Sequence, residues 1–598
     1  MPVSLRVTAI NAVSRWLWGC LCALTVILSS ALATEPPADF DASTDAGTLL
    51  RDYERLEQYE DGTLPELQQR PERPPLQRGE GQTVEVRDIV FSGATELVGI
   101  PALQSLTADA IGMSLDFDGL QQLVNRVTDF LKAEGWFLAR AYLPQQDVTA
   151  GVIEIVILAG ELSAAEPVRI VPAQADFQRI VPEVAERVTL AALPAGQAVR
   201  EENINRAVLL IDDLPGVSAQ SRLTPGPETG TSTIVMMLEE GPLWSGDIRT
   251  DNYGSDSTGV ERATLTTRLN NPSGAGDRIT LSTTQNEGSE LYRGNWLLPI
   301  GSHGLTFDIG VTNLQYDTIT PQGKLYGIEG RTRTNTQALR YPIVRSRTRD
   351  LWLNINGRQQ HMIDRANGAE TSNKRKNSVA VSLEGTRLDT IVGGGRTSWS
   401  VGLTAGDLDL KGNAEAYSQD QQTYRTHGSF QKAVFRLSRL QQLADNLTLQ
   451  ARLDGQFTNQ NLDSSEQLSL GGLAGVRGYP SGEAGGDNAG IVQLELRYRW
   501  PRPLPGRIAV QSRAFIDSGW VQLREDPYDL DFDTATERNT YTLHGAGLGI
   551  TLSRDSTFQA SAIWAHTLGD NPGRSIDGNN NDGSDDSHRF YLQASARF

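Results

Sequence analysis

The chain has almost no cysteine. Cys20 and Cys22 are the only two in 598 residues, and both fall in the first apolar segment. The polypeptide beyond that segment therefore has neither a disulfide nor a thiolate metal site. Long apolar runs are also missing. The one candidate, Leu17 to Leu28, is shorter than the ~20 residues a membrane-crossing helix needs. With Arg6 and Arg15 ahead of it and Ala31-Leu32-Ala33 behind it, it reads as a secretory signal, residues 1–33, cleaved before Thr34. An exported chain without an apolar helical span is a soluble protein or a β-barrel. Histidine is scarce. His303, His361, His427, His544, His566 and His588 are scattered, and no H-E-x-x-H or G-x-S-x-G occurs. Catalysis thus has no residue set to stand on, and no cofactor or metal is expected. Positive charge is in deficit, 54 Lys and Arg against 73 Asp and Glu, which argues against a nucleic-acid partner.

One acidic stretch invites a calcium reading. Asp577, Asn579 and Asn581 have EF-hand spacing. The sixth position is Asp582 instead of glycine and the twelfth is His588 instead of glutamate, so Asp577 to Asp586 is expected to be an acidic surface loop.

After the signal, residues 34–82 are polar. Thr48 to Tyr59 fits a short amphipathic helix with Leu49, Tyr53 and Leu56 on one side. A linker with Pro65, Pro71, Pro74 and Pro75 follows, extended and unable to build a core. From Thr83 the texture is that of compact α/β modules. Val84 to Phe91 alternates as a strand. Phe117 to Leu131 keeps a helical rhythm through Leu120, Leu123, Val124, Val127, Phe130 and Leu131, and Gly135 stops it. Trp136 to Leu143 and Val152 to Leu158 read as the next two strands. The order repeats with a strand at Val168–Val171, a helix over Glu201–Asp212 directing Ile204, Val208 and Ile211 inward, and closing strands Val217–Leu223 and Thr231–Leu238. This divides 83–162 and 163–241 into tandem domains.

From residue 242 to 598 the period changes to two. Leu305, Phe307, Ile309 and Val311 alternate with polar residues, as do Leu447, Leu449, Ala451 and Leu453, and the last strand ends on Phe598. Segments of about ten residues with unequal connections, some tight and some long and acidic, fit a transmembrane antiparallel β-barrel better than a soluble sandwich. At ~9–11 residues per tilted strand, about sixteen strands fit. Arg452 on the lipid side would cost ~2–4 kcal/mol near the midplane, so it is expected to face the lumen.

Glycine interrupts the pattern once, in residues 471–490. Val476, Arg477, Gly478 and Tyr479 sit in the middle of this run, which suits a long hairpin packed close against something else. An arginine there calls for a carboxylate. Asp517, in Phe515-Ile516-Asp517-Ser518-Gly519, is the first candidate and Glu495 the second. Local composition alone leaves open a surface loop with a solvated arginine.

Three groups of residues carry a family resemblance. Tyr142, Leu143, Pro144 and Gln146, then Gly151 and Gly160, resemble the first periplasmic POTRA domain of TpsB-type two-partner secretion transporters. Val476-Arg477-Gly478-Tyr479 is similar to the signature of the lumenal hairpin in this family and the wider outer-membrane insertase superfamily. Phe515, Asp517 and Gly519 resemble its partner motif on a barrel strand. The resemblance implies two POTRA domains before a sixteen-stranded barrel in the outer membrane, with Arg477 bonded to Asp517. It also implies a plug helix at Thr48–Tyr59 and a large unfolded exoprotein (a TpsA-type client) as the cargo. Lipid and the barrel-assembly machinery, which reads terminal aromatics such as Phe598, are the other implied partners. The competing expectations are a barrel insertase, a porin and an enzyme barrel; an insertase usually has three or more POTRA domains, and two are counted here.

Overall fold

The computed structural model describes residues 45–58, 83–173, 179–228, 230–527 and 534–598. The signal segment and the proline-rich linker lie outside the described residues. The first helix, α1, is Ala46–Glu57, so the expected helix begins two residues earlier, where Asp45 accepts a hydrogen bond from the Thr48 amide at 2.6 Å.

In the first α/β unit, helix α2 (Ile100–Thr107) and helix α3 (Phe117–Ala133) cover one face of a three-stranded sheet. Asp88–Gly93 runs parallel to Val152–Leu158, which pairs antiparallel with Arg140–Tyr142. Leu120, Leu123, Val124, Val127 and Leu131 are buried against Ile153, Ile155 and Ile157, while Phe130 is half-buried. Two expected strands are shorter than the sequence pattern suggested. Val84 to Phe91 is split because the Val86 amide bonds to Met113 and the Arg87 amide to Gly151, which moves Val84–Glu85 onto a separate pairing with Ser114–Leu115. Trp136 to Leu143 narrows to Arg140–Tyr142 because Trp136 turns back, its Nε1 donating to the Leu97 carbonyl at 3.1 Å.

Gln146 holds the connection between two of these strands. Its Nε2 donates to the Glu154 carbonyl at 2.8 Å and its Oε1 accepts from the Glu154 amide at 2.7 Å. Replacing Gln146 with alanine removes both bonds, each worth about 1 kcal/mol. Hydrogen exchange at Val152–Leu158 is expected to accelerate by about tenfold or more, with the barrel strands unaffected.

The second unit repeats the order with its own core. Helices α4 (Pro182–Ala192) and α5 (Glu201–Asp212) pack on Thr231–Glu240, which lies between Val168–Pro172 and Val217–Pro225. Val208 and Ile211 are buried, and Ile204 packs at the margin.

The rest of the chain closes into one barrel of sixteen strands. Its strands are β1 (Trp244–Asp251), β2 (Arg262–Asn270), β3 (Arg278–Gln285), β4 (Ser289–Ile300), β5 (Leu305–Asp317) and β6 (Glu329–Arg345). They continue as β7 (Arg349–Ala366), β8 (Ala369–Asp389), β9 (Gly395–Asp409), β10 (Gly428–Ala444) and β11 (Leu447–Phe457). The last five are β12 (Asn488–Arg499), β13 (Ala509–Gln522), β14 (Thr540–Arg554), β15 (Phe558–Thr567) and β16 (His588–Arg597). Closure is made by β16 pairing antiparallel with β1, and Phe598 exchanges both backbone bonds with Gly246. All pairings are between sequence neighbours or the two ends, so the cylinder leaves no free edge.

Alternation along each strand puts large apolar side chains on the outer wall. Leu281, Val311, Val379, Val401, Leu403, Ile516 and Leu548 are exposed there. Trp244, Tyr341, Trp399, Trp500 and Phe598 add exposed aromatic rings. A wall this apolar needs lipid. Among the described residues no helix is long and apolar enough to cross a membrane. Connections at the end near the α/β units are short, such as 346–348 and 445–446, whereas the opposite end has 410–427, 458–487, 523–539 and 568–587.

Candidate functional site: the lumenal hairpin and helix

The connection 458–487 is folded into the barrel instead of out into solvent. It is wider than the expected run 471–490 at its start and narrower at its end, because Asn488 to Gly490 already pair in β12. At its centre Arg477 is 1% exposed. Its Nε donates to Asp517 Oδ2 and its Nη2 to Asp517 Oδ1, both at 2.8 Å, and its backbone amide reaches the same Oδ2 at 3.1 Å. Nη1 donates to Glu495 Oε2 at 2.5 Å. The guanidinium carbon lies 3.4 Å from the centre of the Phe515 ring. Planarity makes this possible: one fork satisfies two carboxylates while its face rests on an aromatic.

Glu495 is shared. Its Oε1 accepts from Arg497 at 2.7 Å and lies 3.5 Å from Arg513. Three guanidiniums and two carboxylates thus form one buried layer on β12, β13 and the hairpin. Tyr591 of β16 donates to the Arg477 carbonyl at 2.9 Å. Val476 and Tyr479 enter an apolar cluster with Leu470, Val521 and Leu543. Gly478 explains the close approach: a Cβ there would meet the Thr567 amide nitrogen at 2.9 Å, so only glycine lets the hairpin lie on the β15 backbone. Gly519 faces Val476 and Leu470, and a Cβ at that position would stand 3.0 Å from both side chains.

Helix α1 lies in the lumen beside the hairpin. One face is apolar, with Leu49, Leu50 and Tyr53 packed on Leu291, Leu314 and Met362 of the wall. The other face is polar and meets the hairpin. Arg51 donates to the carbonyls of Ser464 at 2.6 Å and Gln467 at 3.0 Å, and Arg55 to that of Ala474 at 2.9 Å. Glu54 pairs with Arg358 at 2.9 Å and Glu57 with Arg293. The sequence reading did not mark this second face, although the i, i+4 spacing of Arg51 and Arg55 puts both on one side of the helix.

The start of the hairpin is held by an ionic cluster that the sequence reading did not find. Lys374 Nζ is 2.8 Å from Asp463, Lys376 is 2.5 Å from Glu466, and Lys432 is 2.8 Å from Glu466. Two lysines at alternate positions of one strand are the trace left in sequence, since they must share a face. Burial pushes the Glu466 carboxyl up, but Lys376 and Lys432 outweigh it and bring it down to about 2. A depressed carboxyl stabilises the fold above its ordinary range, and that stabilisation is lost as the pH falls toward 2.

Glu483 behaves oppositely. It is buried at the far end of the hairpin, accepting from Asn571 Nδ2 and the Asn581 amide, both at 2.7 Å. Burial pushes its carboxyl up to about 7 against those two bonds. Such a group binds its proton more tightly folded than unfolded, so its docking weakens as the pH rises from about 4.5 to about 7 and is then level. Protection of the amides in residues 571–581, taken against the intrinsic base-catalysed exchange rate at each pH, is expected to fall across that window. Glu483→Gln should flatten the response.

Other residues singled out by the sequence lie elsewhere. Tyr142, Leu143, Pro144, Gln146, Gly151 and Gly160 all belong to the first α/β unit. Gly151 and Gly160 have φ of 75° and 67°, with the Glu85 carbonyl and Leu138 too close for a Cβ. Arg452 lines a lumenal cavity of about 580 Å³ beside Arg51, Glu54 and Arg55. A second cavity of about 670 Å³ lies against the last turn of the helix, at Leu56 and Glu57, with Arg249 and Arg262. In the acidic loop, Asp582 accepts from Ser584 and pairs with Arg589, and among the described residues no cluster suited to a metal ion is found.

Comparison with known proteins matches this architecture. Residues 230–552 fit the family model of the haemolysin secretion/activation proteins ShlB, FhaC and HecB, and residues 84–160 fit a POTRA domain of the ShlB type. The chain belongs to the haemolysin secretion/activation family. Its curated relatives include the heme/hemopexin transporter protein HuxB of Haemophilus influenzae strain 86-028NP, 23% identical over 493 residues, 82% of this chain and 83% of that protein. The outer membrane transporter CdiB of Escherichia coli O6:K15:H31 is 25% identical over 588 residues, 91% and 89% of the two chains. The solved structure of CdiB from Escherichia coli superposes with a TM-score of 0.68 at 22% identity, covering 88% of this chain and 93% of that one. As a member of this family the chain is an outer-membrane two-partner secretion transporter with its POTRA region in the periplasm. The short barrel turns are therefore periplasmic and the long loops external.

Proposed function

We propose that the chain carries one large partner exoprotein, unfolded, from the periplasm to the cell surface through the barrel lumen. The observation that supports this most directly is the lumen's filling. Helix α1 and the hairpin 458–487 occupy a closed sixteen-stranded barrel, and the helix meets the hairpin through side-chain-to-backbone bonds that can be exchanged for other polar partners. A passive porin does not need such a filling, nor the two α/β units ahead of it. We read both units, 83–162 and 163–241, as POTRA modules that receive the client along exposed strand edges, where backbone bonds give affinity and side-chain pockets give choice.

In this reading Arg477, Asp517 and Glu495 position the hairpin and catalyse nothing, and α1 is a plug that must leave. No step is assigned to an enzyme, a metal or a cofactor. Folding of the client outside supplies direction. Phe598, paired with Gly246 at the seam, is the element offered to the barrel-assembly machinery during insertion. The test is deletion of 84–160 in the full chain, read by surface secretion of the partner and by heat-modifiable migration of the barrel. Loss of secretion with an intact inserted barrel is expected. Undiminished secretion would exclude the POTRA route.

A further inference from the structure

The outer wall carries an unusual basic row. Across β6, β7 and β8, Arg333 is the register partner of His361, and His361 of Arg375. Their chain neighbours Thr332, Thr334, Gln360, Met362 and Lys376 are buried inside the barrel, so alternation turns the row outward. Arg331, two residues along from Arg333, is on the same face, and all three arginines are exposed. None has a carboxylate at salt-bridge distance among the described residues. The bordering acids do not reach the row: Glu329 is 3.6 Å from Arg365, Asp409, the register partner of Arg375, is 4.0 Å from His427, and Asp407, exposed beside it, pairs in register with Asn377. Arg333 and Arg375 flank His361 from either side, with Arg331 beside them on the same strand as Arg333, so the row gathers positive charge at one height and suits an anion.

Height along the wall says which anion. The apolar band on these strands is centred near Tyr341 and Val381, both exposed on the same face. Arg333 stands eight residues from Tyr341 (341 − 333) and Arg375 six from Val381 (381 − 375), toward the external end. At ~3.3 Å per residue and a tilt near 40°, that is about 15–20 Å above the midplane. A bilayer of ~40–45 Å with its headgroups has its phosphates at about that height. His361 completes the row as a neutral or charged donor, with Nε2 3.0 Å from Asn373 Oδ1.

We propose that Arg331, Arg333, His361 and Arg375 form a binding site for the phosphates of a phosphorylated glycolipid in the outer leaflet. Planar guanidiniums hold phosphate oxygens in pairs, and exposure on the lipid side gives a membrane-anchored headgroup direct access. The site is on the face of the wall behind which Thr332 and Met362 hold helix α1. It rests on the outer-membrane placement and not on which client is carried.

The test is native mass spectrometry of the full chain in neutral detergent, titrated with bis-phosphorylated lipid A and with its dephosphorylated form. The unaltered chain should retain the phosphorylated lipid and not the dephosphorylated one. R333Q/R375Q should weaken retention by about tenfold. R387Q, on the same outer face of β8 at the periplasmic end, should leave it unchanged. Equal retention of the two lipids, or retention by R333Q/R375Q within about twofold of the unaltered chain, would overturn the site. Secretion by the same variants is scored separately, so failure of the lipid site and failure of the transport reading are distinguishable.

Discussion

Replacing Asp517 with alanine is expected to lower secretion of the partner protein by about tenfold or more while the barrel still inserts. The change takes three hydrogen bonds from Arg477 and leaves a guanidinium buried with only part of its charge compensated. Breaking one partner of such a pair costs about 3–5 kcal/mol. The hairpin would then leave its seat on β15, where Gly478 allows no spare space. Arg477→Lys should behave almost as badly as Arg477→Ala, because one ammonium cannot span Asp517 and Glu495 while resting flat on Phe515. The double variant R477A/D517A should be milder in stability than D517A alone, since the guanidinium that D517A leaves under-compensated is gone and Glu495 keeps Arg497 and Arg513. Hydrogen exchange at 470–487 measures seating, and surface secretion measures consequence. Equal stability of D517A and R477A/D517A would show that charge compensation is not what holds the hairpin.

Deleting residues 46–57 has the second large effect, on permeability. Helix α1 borders two lumenal cavities of about 580 and 670 Å³, and its removal is expected to open the space between them. The hairpin also loses the bonds from Arg51 and Arg55 to its backbone. Single-channel conductance of the deleted chain in planar bilayers should rise severalfold and become noisy, with a hairpin less firmly held. Replacing only Arg51 and Arg55 with alanine should leave the helix on its apolar seat of Leu49, Leu50 and Tyr53 and give intermittent openings instead of a permanent one. A conductance unchanged by the deletion would mean that the hairpin alone blocks the lumen.

Much of this architecture was legible before any coordinates. Period-two alternation survives in sequence because lipid and lumen demand opposite chemistry at adjacent residues. That is why segments such as Leu305–Val311 announced a barrel and why sixteen strands fitted the length. Helices with a strong apolar face, α3 and α5, were readable for the same kind of reason. Helix α4, begun by a proline and only partly apolar, was not marked out separately. Glycine density marked the tight centre of the hairpin, and a cation there pointed to a carboxylate that the structure places against it. Its first third left no such mark. Asp463 to Gln467 is polar and reads as a solvent loop; its burial is produced by Lys374, Lys376 and Lys432 from β8 and β10. The alternation of Lys374 and Lys376 places two cations on one face, but nothing local says which distant carboxylates they meet. The bonds from α1 to the hairpin backbone were invisible for the same reason, since a carbonyl acceptor carries no residue signature.

Transport through the lumen requires that α1, which stands in the way, leave its seat. Thr332 on β6 contacts α1 directly, its Oγ1 donating to the Ala46 carbonyl at 3.0 Å. Cysteines at positions 46 and 332 would allow the helix to be locked and released, as the chain's own Cys20 and Cys22 lie in its first apolar segment. The decisive measurement is secretion of the partner by this variant before and after reduction. Secretion blocked while the disulfide is intact and restored by reductant is the predicted result; secretion that continues with the helix quantitatively cross-linked would contradict it.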